Sequence, residues 1–518
     1  MFRWDKATAL IHYREGRGGM CDHGQLDVTL RTWLAVAVLV TLAGSEARAD
    51  GASIDPSSMP RVAAVDSRFQ SYNIEMVEVT GGRFWKPYGE HPAVGGDLFA
   101  YRPPIDLNNA KLRRLAAALA PAYMRVSGTW ANSTYLSDAE DSLSAPAGFN
   151  GVLTCRRWRE VIGFSQAVDA DIVTSFAISP GARDAAGVWT PDQAHRLIAC
   201  TRKAGGRIAA AEFMNEPDLI SISGAPAGYN AAAYGRDVGL FRAFIKQTAP
   251  EIMILGPGAA GESALASDLL AASGSGMDVF SYHHYGTLSE RCIGSSAPEA
   301  ALSEAWLSRT DRVLAFYRTL RDKFDPGKPI WLTETAEAAC GGNRLSATFL
   351  DTFRYLDQLG RLAKAGVQVV MHNTLAASDY GLLDETTLDP RPNYWGALLW
   401  RKLMGATVLD SGVPIEAGLH VYAHCQRGTS GGVAVLVINT DRIASHPMTL
   451  AKPSERYTLD AANLRASTVR LNGATLGLDD KGDLPSIAGA RTAAGALSFA
   501  PATISFLTIP EAANGACQ

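Results

Sequence analysis

No charge of one sign dominates this sequence. Its 48 lysines and arginines stand against 52 aspartates and glutamates, a formal net charge of -4 over 518 residues. That balance argues against a nucleic-acid binder, which would show a strongly basic face. A local basic patch could still meet a polyanionic substrate. The phosphate-cradling G-x-G-x-x-G that an open, doubly wound sheet would carry after its first strand is missing. Cysteine is scarce, seven in all, with no C-x-x-C spacing, so no zinc site is expected, and no metal or other cofactor. Internal repeats and low-complexity linkers are also missing. The apolar run from Leu34 to Gly44 falls short of the roughly 20 residues a membrane-spanning helix needs. Ala47-Arg48-Ala49 follows it as a small-x-small cleavage pattern. Together they predict a secretory signal peptide cut near Ala49, hence a secreted or periplasmic protein with no membrane attachment afterwards. Cleavage removes Cys21 and leaves Cys155, Cys200, Cys292, Cys340, Cys425 and Cys517. An even number in an exported chain permits disulfides whose connectivity stays open.

What is present centres on two stretches, Ala211-Glu212-Phe213-Met214-Asn215-Glu216-Pro217-Asp218 and Ile330-Trp331-Leu332-Thr333-Glu334-Thr335. Each is an apolar run of strand length leading to a glutamate. An apolar strand can carry a carboxylate to the rim of a core, where desolvation and neighbours tune it. Two facing carboxylates are what glycoside hydrolysis requires: one protonates the leaving oxygen, the other attacks the anomeric carbon or activates water. A single strand-end glutamate is as readily a helix cap; the pair, each on its own strand, is harder to dismiss.

The chain length suits a barrel with a smaller partner. Strand-like runs occur at 73–79, 123–127, 172–177, 208–214, 252–256, 279–285, 330–333 and 367–372, with helix-like stretches at 107–119, 157–168, 191–204, 231–248, 303–323 and 347–365. Thr190-Pro191-Asp192 reads as a helix start with Thr190 as N-cap. Eight strands alternating with helices predict an α/β fold, a closed (β/α)8 TIM barrel, with active-site residues at the strands' carboxyl ends. Glu216 would end the fourth strand and Glu334 the seventh. Cys292 and Cys340, after the sixth and seventh strands, could meet. From Thr407 to Pro510 short β-rich runs between Gly, Asp, Asn and Ser clusters predict a C-terminal antiparallel β-sandwich. The expected domains are a leader at 1–49, an N-terminal segment at 50–72 that could join the sandwich, a catalytic barrel at 73–405 and the sandwich at 406–518.

Several separated motifs in order give this chain a family resemblance. They are Phe69 to Glu75, Met124-Arg125-Val126-Ser127-Gly128-Thr129, Asn215-Glu216-Pro217, His283-His284-Tyr285, Glu334 followed by Gly341-Gly342, Asp379 to Asp384, and Asn393-Tyr394-Trp395 through Gly405. The chain resembles glycoside hydrolase family 79, the heparanase and β-glucuronidase family, especially its bacterial members. The resemblance implies a retaining mechanism with Glu216 as acid/base and Glu334 as nucleophile. It further implies that Glu75, Thr129 and Asn215 bind sugar hydroxyls and that Tyr285 positions the nucleophile or the ring. Tyr380 and the N–H groups of Gly341 and Gly342 would hold the uronic carboxylate. Cys340, immediately before the glycines, departs from the family pattern.

The expected protein is therefore a secreted, monomeric, metal-independent retaining glycosidase of heparanase type. It would act on glucuronide-containing oligo- or polysaccharides such as heparan sulfate. The alternatives are an exo-acting β-glucuronidase on terminal glucuronate and, in another class, a non-catalytic carbohydrate-binding protein.

Overall fold

The computed structural model describes residues 52–88, 98–140, 144–292, 294 and 298–518. The expected leader lies outside the described residues. Eight strands close into a barrel: β1 (Gln70–Glu75), β2 (Ala122–Ser127), β3 (Ala170–Ser175), β4 (Ile208–Glu212), β5 (Met253–Ala259), β6 (Val279–Leu288), β7 (Ile330–Ala339) and β8 (Val369–His372). Each pairs parallel with its chain neighbour, and β8 returns to β1 through Val370↔Gln70, Met371↔Ser71 and His372↔Tyr72. These are the eight runs expected. Two of the expected helix bounds need changing. The stretch at 303–323 is split at Ser308 into Glu304–Leu307 and Arg309–Phe324. Asp192–Lys203 starts without a side-chain cap, Pro191 standing where Thr190 was expected.

The first strand differs most. It begins at Gln70, and after Glu75 the chain turns into a short helix, Met76–Thr80. The Glu78 carboxylate accepts the Glu75 N–H at 2.9 Å, which closes the helix start and stops the strand. Met76, Val77 and Val79 are all buried, and a short apolar run does not separate strand from helix by pattern.

The strands fill the barrel in layers, because alternate residues face inward. Tyr123, Val173, Ala210, Leu255, Val279, Trp331 and Val369 form one apolar layer. Two residues further along their strands come Arg125, Ser175, Glu212, Ser281 and Thr333, and beyond them Ser127 and His283, all buried. The lumen is thus apolar below and polar toward the strands' carboxyl ends.

Beyond the barrel, Arg61–Ala64, Met404–Leu409, Leu419–Gln426, Val433–Asn439, Thr503–Ile509 and Ser454–Asp460 follow one another in a nine-stranded sheet. Ala52–Ile54, His446–Leu450 and Gly495–Phe499 make a second, three-stranded sheet. Strand Val433–Asn439 shows why both faces are covered. Val433, Val435 and Val437 pack with Met448, Leu450, Leu497 and Phe499 of the small sheet. Ala434, Leu436 and Ile438 join the cluster that surrounds the barrel. A strand buried on both sides reads as an unbroken apolar run, as this one does. Disulfides link Cys155 to Cys200, Cys292 to Cys340 and Cys425 to Cys517. The second ties the loop after β6 to the loop after β7. Among the described residues no helix is long and apolar enough to cross a membrane.

Candidate active site

Glu334 owes its aim to an irregularity in β7. Tyr282 pairs with Leu332, but His283 pairs with Glu334, so Thr333 is an extra residue in the ladder. A bulge of this kind lets two consecutive side chains face one side. Thr333 Oγ1 donates to Glu212 Oε1 at 3.0 Å. Glu334 accepts from Arg125 Nη1 at 2.9 Å on one oxygen and from the Tyr285 hydroxyl at 2.5 Å on the other. Thr335 faces outward to Gln358. Glu334 is therefore not at the end of its strand: β6 and β7 run on together as far as the Leu288↔Ala339 pair.

Glu216 is likewise placed differently from expectation. β4 stops at Glu212, and Glu216 stands on the following loop with φ +47, a left-handed conformation unusual for a non-glycine residue. Asn132 holds this loop. Its Oδ1 accepts the Asn215 N–H at 2.8 Å, and its Nδ2 donates to the Asn215 carbonyl at 2.9 Å and the Ser223 carbonyl at 3.0 Å. Arg125 Nη2 donates to Asn215 Oδ1 at 2.7 Å. Because the guanidinium only donates, it fixes the amide with its NH2 turned the other way, 3.5 Å from Thr129 Oγ1.

Arg125, fully buried, is the hub of the site. It donates to Glu212 Oε2 from Nε at 3.0 Å and Nη2 at 2.8 Å, besides its bonds to Glu334 and Asn215. Burial opposes its charge, but Glu212 and Glu334 outweigh burial and hold it protonated. Burial would also raise Glu212, yet Arg125 keeps that carboxylate below the usual range. Glu216 goes the other way: burial, then the nearby Asp218 charge, push it up to about 8 against the pull of Arg125. His283 Nδ1 lies 3.1 Å from Glu216 Oε1 and 3.7 Å from Glu334 Oε2. Burial lowers His283 despite Glu334, favouring neutral imidazole. Glu216, His283 and Glu334 each offer an atom within 4.8 Å of the other two, so the two glutamates face each other.

Around this centre, Asn373 Nδ2 donates to the Tyr285 hydroxyl at 2.9 Å and to Glu75 Oε1 at 3.2 Å. The tyrosine must therefore spend its own proton on Glu334. Burial, then Glu334, raise Glu75 well above the carboxylate range. Gly128 is required here: with φ +89, an added Cβ would sit 1.6 Å from Glu75 Oε2. Gly341 and Gly342 lie on the loop after β7, both with φ +83. Gly341 accepts from Ser378 Oγ at 2.9 Å and the Asp379 N–H at 3.1 Å. A Cβ on Gly342 would come within 3.0 Å of the Tyr380 nitrogen. Tyr380 is buried, its carbonyl 2.7 Å from His372 Nε2. Glu75, Thr129, Asn215, Tyr285, Glu216 and Glu334 thus share one connected cluster, and Tyr380 lies near enough that, beyond burial, the charges of Glu75 and Glu334 raise its hydroxyl, whereas the glycines belong to the neighbouring loop.

Sequence reading gave Glu212, Asn132, Arg125 and His283 no individual role. A signal was available for two of them: a lone charge inside an apolar strand, Tyr-Met-Arg-Val or Ala-Ala-Glu-Phe, needs a buried partner. It also overlooked the His420-x-x-x-His424 spacing. These histidines lie on Leu419–Gln426 and are separately engaged, His420 Nδ1 with Asp357 at 2.6 Å and His424 Nδ1 with the Gly405 carbonyl at 2.7 Å.

A closed parallel barrel with two carboxylates facing across its carboxyl-end mouth, one held protonated and the other gripped by an arginine and a tyrosine, defines a barrel glycosidase. The family described as "Glycosyl hydrolase family 79, N-terminal domain" matches residues 104–360. Heparanase-like protein 1 of Arabidopsis thaliana is 27% identical over 479 residues, covering 80% of this chain and 86% of that protein. Baicalin-beta-D-glucuronidase of Scutellaria baicalensis is 35% identical over 165 residues, 30% of this chain and 31% of that protein. The crystal structure of a 4-O-alpha-L-rhamnosyl-beta-D-glucuronidase from Fusarium oxysporum shares the fold, with TM-score 0.63 at 15% identity over 89% of this chain and 99% of that one. The chain belongs to glycoside hydrolase family 79, and it is a glycosidase.

Proposed function

We propose that this protein is a retaining β-glucuronidase of heparanase type, acting on glucuronic-acid-containing polysaccharides such as heparan sulfate. The observation that carries the reading is the approach of Glu216 and Glu334 to within 4.8 Å. So close an approach of one oxygen from each favours retention, for which carboxyl groups about 5–5.5 Å apart are usual, over an inverting pair at about 6.5–9.5 Å. Glu334, its oxygens aligned by Arg125 and Tyr285, attacks the anomeric carbon as the Glu216 proton passes to the leaving oxygen. Glu216 then takes a proton from water to release the glycosyl-enzyme. Asn215, Thr129 and Glu75 bind sugar hydroxyls. Tyr380 and the Gly341–Gly342 loop face the uronic carboxylate, where glycine allows close backbone approach. The names of the heparanase-like and baicalin-glucuronidase relatives support the glucuronide class. The reading includes export after cleavage of the leader. It also includes a β-sandwich built from the two sheets, which the apolar cluster between them supports. Release of short fragments from size-resolved heparan sulfate, set beside hydrolysis of a chromogenic aryl β-glucuronide, tests it. Cleavage of neither would remove the assignment.

Glu216→Gln lowers kcat/KM about 100-fold or more on substrates with poor leaving groups and much less on activated aryl glucuronides; equal losses on both would contradict the acid role. Because Glu216 must carry its proton to act and titrates at about 8, turnover of poor leaving groups falls as pH rises through about 8. Incubation with EDTA leaves turnover unchanged. A large loss restored by a divalent cation would reassign Glu216, His283 and Glu334 as metal ligands.

A further inference from the structure

At the opposite end of the barrel the structure holds a second polar site unconnected with the glutamates. A cleft of about 460 Å³ is lined by residues that include Ala120, Pro121, Leu398, Arg401, Lys402 and Arg427, and no acidic residue lines it. Pro121 stands just before β2, and Arg401 donates to the carbonyls of Ser67 and Gln70, at the start of β1. The cleft is thus at the amino ends of the strands, roughly a strand length, about 20 Å, from the catalytic layer.

Its two arginines are unusual in having no carboxylate in direct contact among the described residues. Arg401 is 4% exposed, and among the described residues its side-chain hydrogen bonds go to those two carbonyls. Arg427 Nη2 donates to the Met404 carbonyl at 2.9 Å. Among the described residues neither forms an ion pair, and the Nε of each is buried without an acceptor. Burial, then the charge of Arg427, bring Arg401 down to about 9, so the two guanidinium groups strain against each other. Basic residues in the last turn of helix Pro392–Leu403 also complement its dipole. That accounts for a cation at the helix end, but not for two buried donors with nothing to bind or for Arg427, which lies outside the helix. An oxyanion in the cleft would supply the counter-charge that the two guanidinium groups lack and offset their repulsion, with the exposed Lys402 at the rim.

We propose that this cleft is an oxyanion-binding site, taking a sulfate or carboxylate group of an acidic saccharide at a distance from the catalytic centre. A glycan held there would be engaged at two points on opposite ends of the barrel. The same chemistry would accept free sulfate, and the experiment separates the two sources.

Calorimetric titration and thermal melting of the full-length protein with sodium sulfate, against sodium chloride at equal ionic strength, read the site directly. We expect saturable, sulfate-specific stabilisation that Arg427→Gln weakens about tenfold or more, with turnover of a small aryl glucuronide unchanged. Lys402→Gln, at an exposed position, weakens it in the same direction and serves if Arg427→Gln does not fold. A sulfated uronate octasaccharide, titrated into Glu334→Gln protein with and without Arg427→Gln, tells the sources apart. Binding sensitive to Arg427 assigns the glycan. Insensitive octasaccharide binding beside sensitive sulfate binding assigns a free anion and overturns the glycan part. Equal sulfate responses in parent and both variants overturn the site.

Discussion

Glu334→Gln lowers kcat by about four orders of magnitude or more, while the melting temperature stays close to that of the parent. The first half follows from chemistry: an amide oxygen cannot form the glycosyl ester that the second step hydrolyses. The second half follows from geometry. Glutamine has the shape of glutamate, and the two groups around it keep partners. Arg125 retains both bonds to Glu212 and its bond to Asn215. Tyr285 retains the Asn373 amide as donor. Circular dichroism and thermal melting, read beside kcat, check both halves. A variant that keeps a tenth of its activity would exclude Glu334 as the nucleophile.

Arg125→Gln has the second large effect, and it strikes stability and activity together. The guanidinium is the cation shared by Glu212 and Glu334, with side-chain exposures of 1%, 0% and 7% for the three. Removing one partner of a buried pair strands the other charge and costs about 3–5 kcal/mol. Here two carboxylates lose their cation at once, so the upper end of that range is expected, measured as a shift in the denaturation midpoint. Activity falls as well, because Glu334 and Asn215 both lose the group that aims them. Arg125→Lys keeps the charge but not the planar fork. It should recover most of the stability and little of the turnover, a split that a purely structural arginine would not produce.

The barrel was legible because its strands are apolar and separated by amphipathic helices, and Glu216 and Glu334 were legible because each follows a short apolar run. What stayed hidden depended on partners far away in the chain. Nothing near Arg125 announces Glu212 or Glu334, which reach it only when the barrel closes. Asn132 earns its place through the backbone of Asn215, a contact with no local pattern. The turn from β1 into Met76–Thr80 was missed because an apolar stretch of that length suits either state. Helix Ala264–Ser273, mostly alanine, leucine and serine, shows little contrast between its faces. The position of Glu334 within β7 rests on a one-residue shift in pairing, which no periodicity reveals.

The configuration of the sugar at the instant of release tests the double displacement most directly. Proton NMR of an aryl β-glucuronide digest, recorded before mutarotation, should show β-glucuronic acid appearing first and the α-anomer only later. If the α-anomer appears first, the reaction is a single displacement, and Glu334 does not form a covalent glycosyl-enzyme.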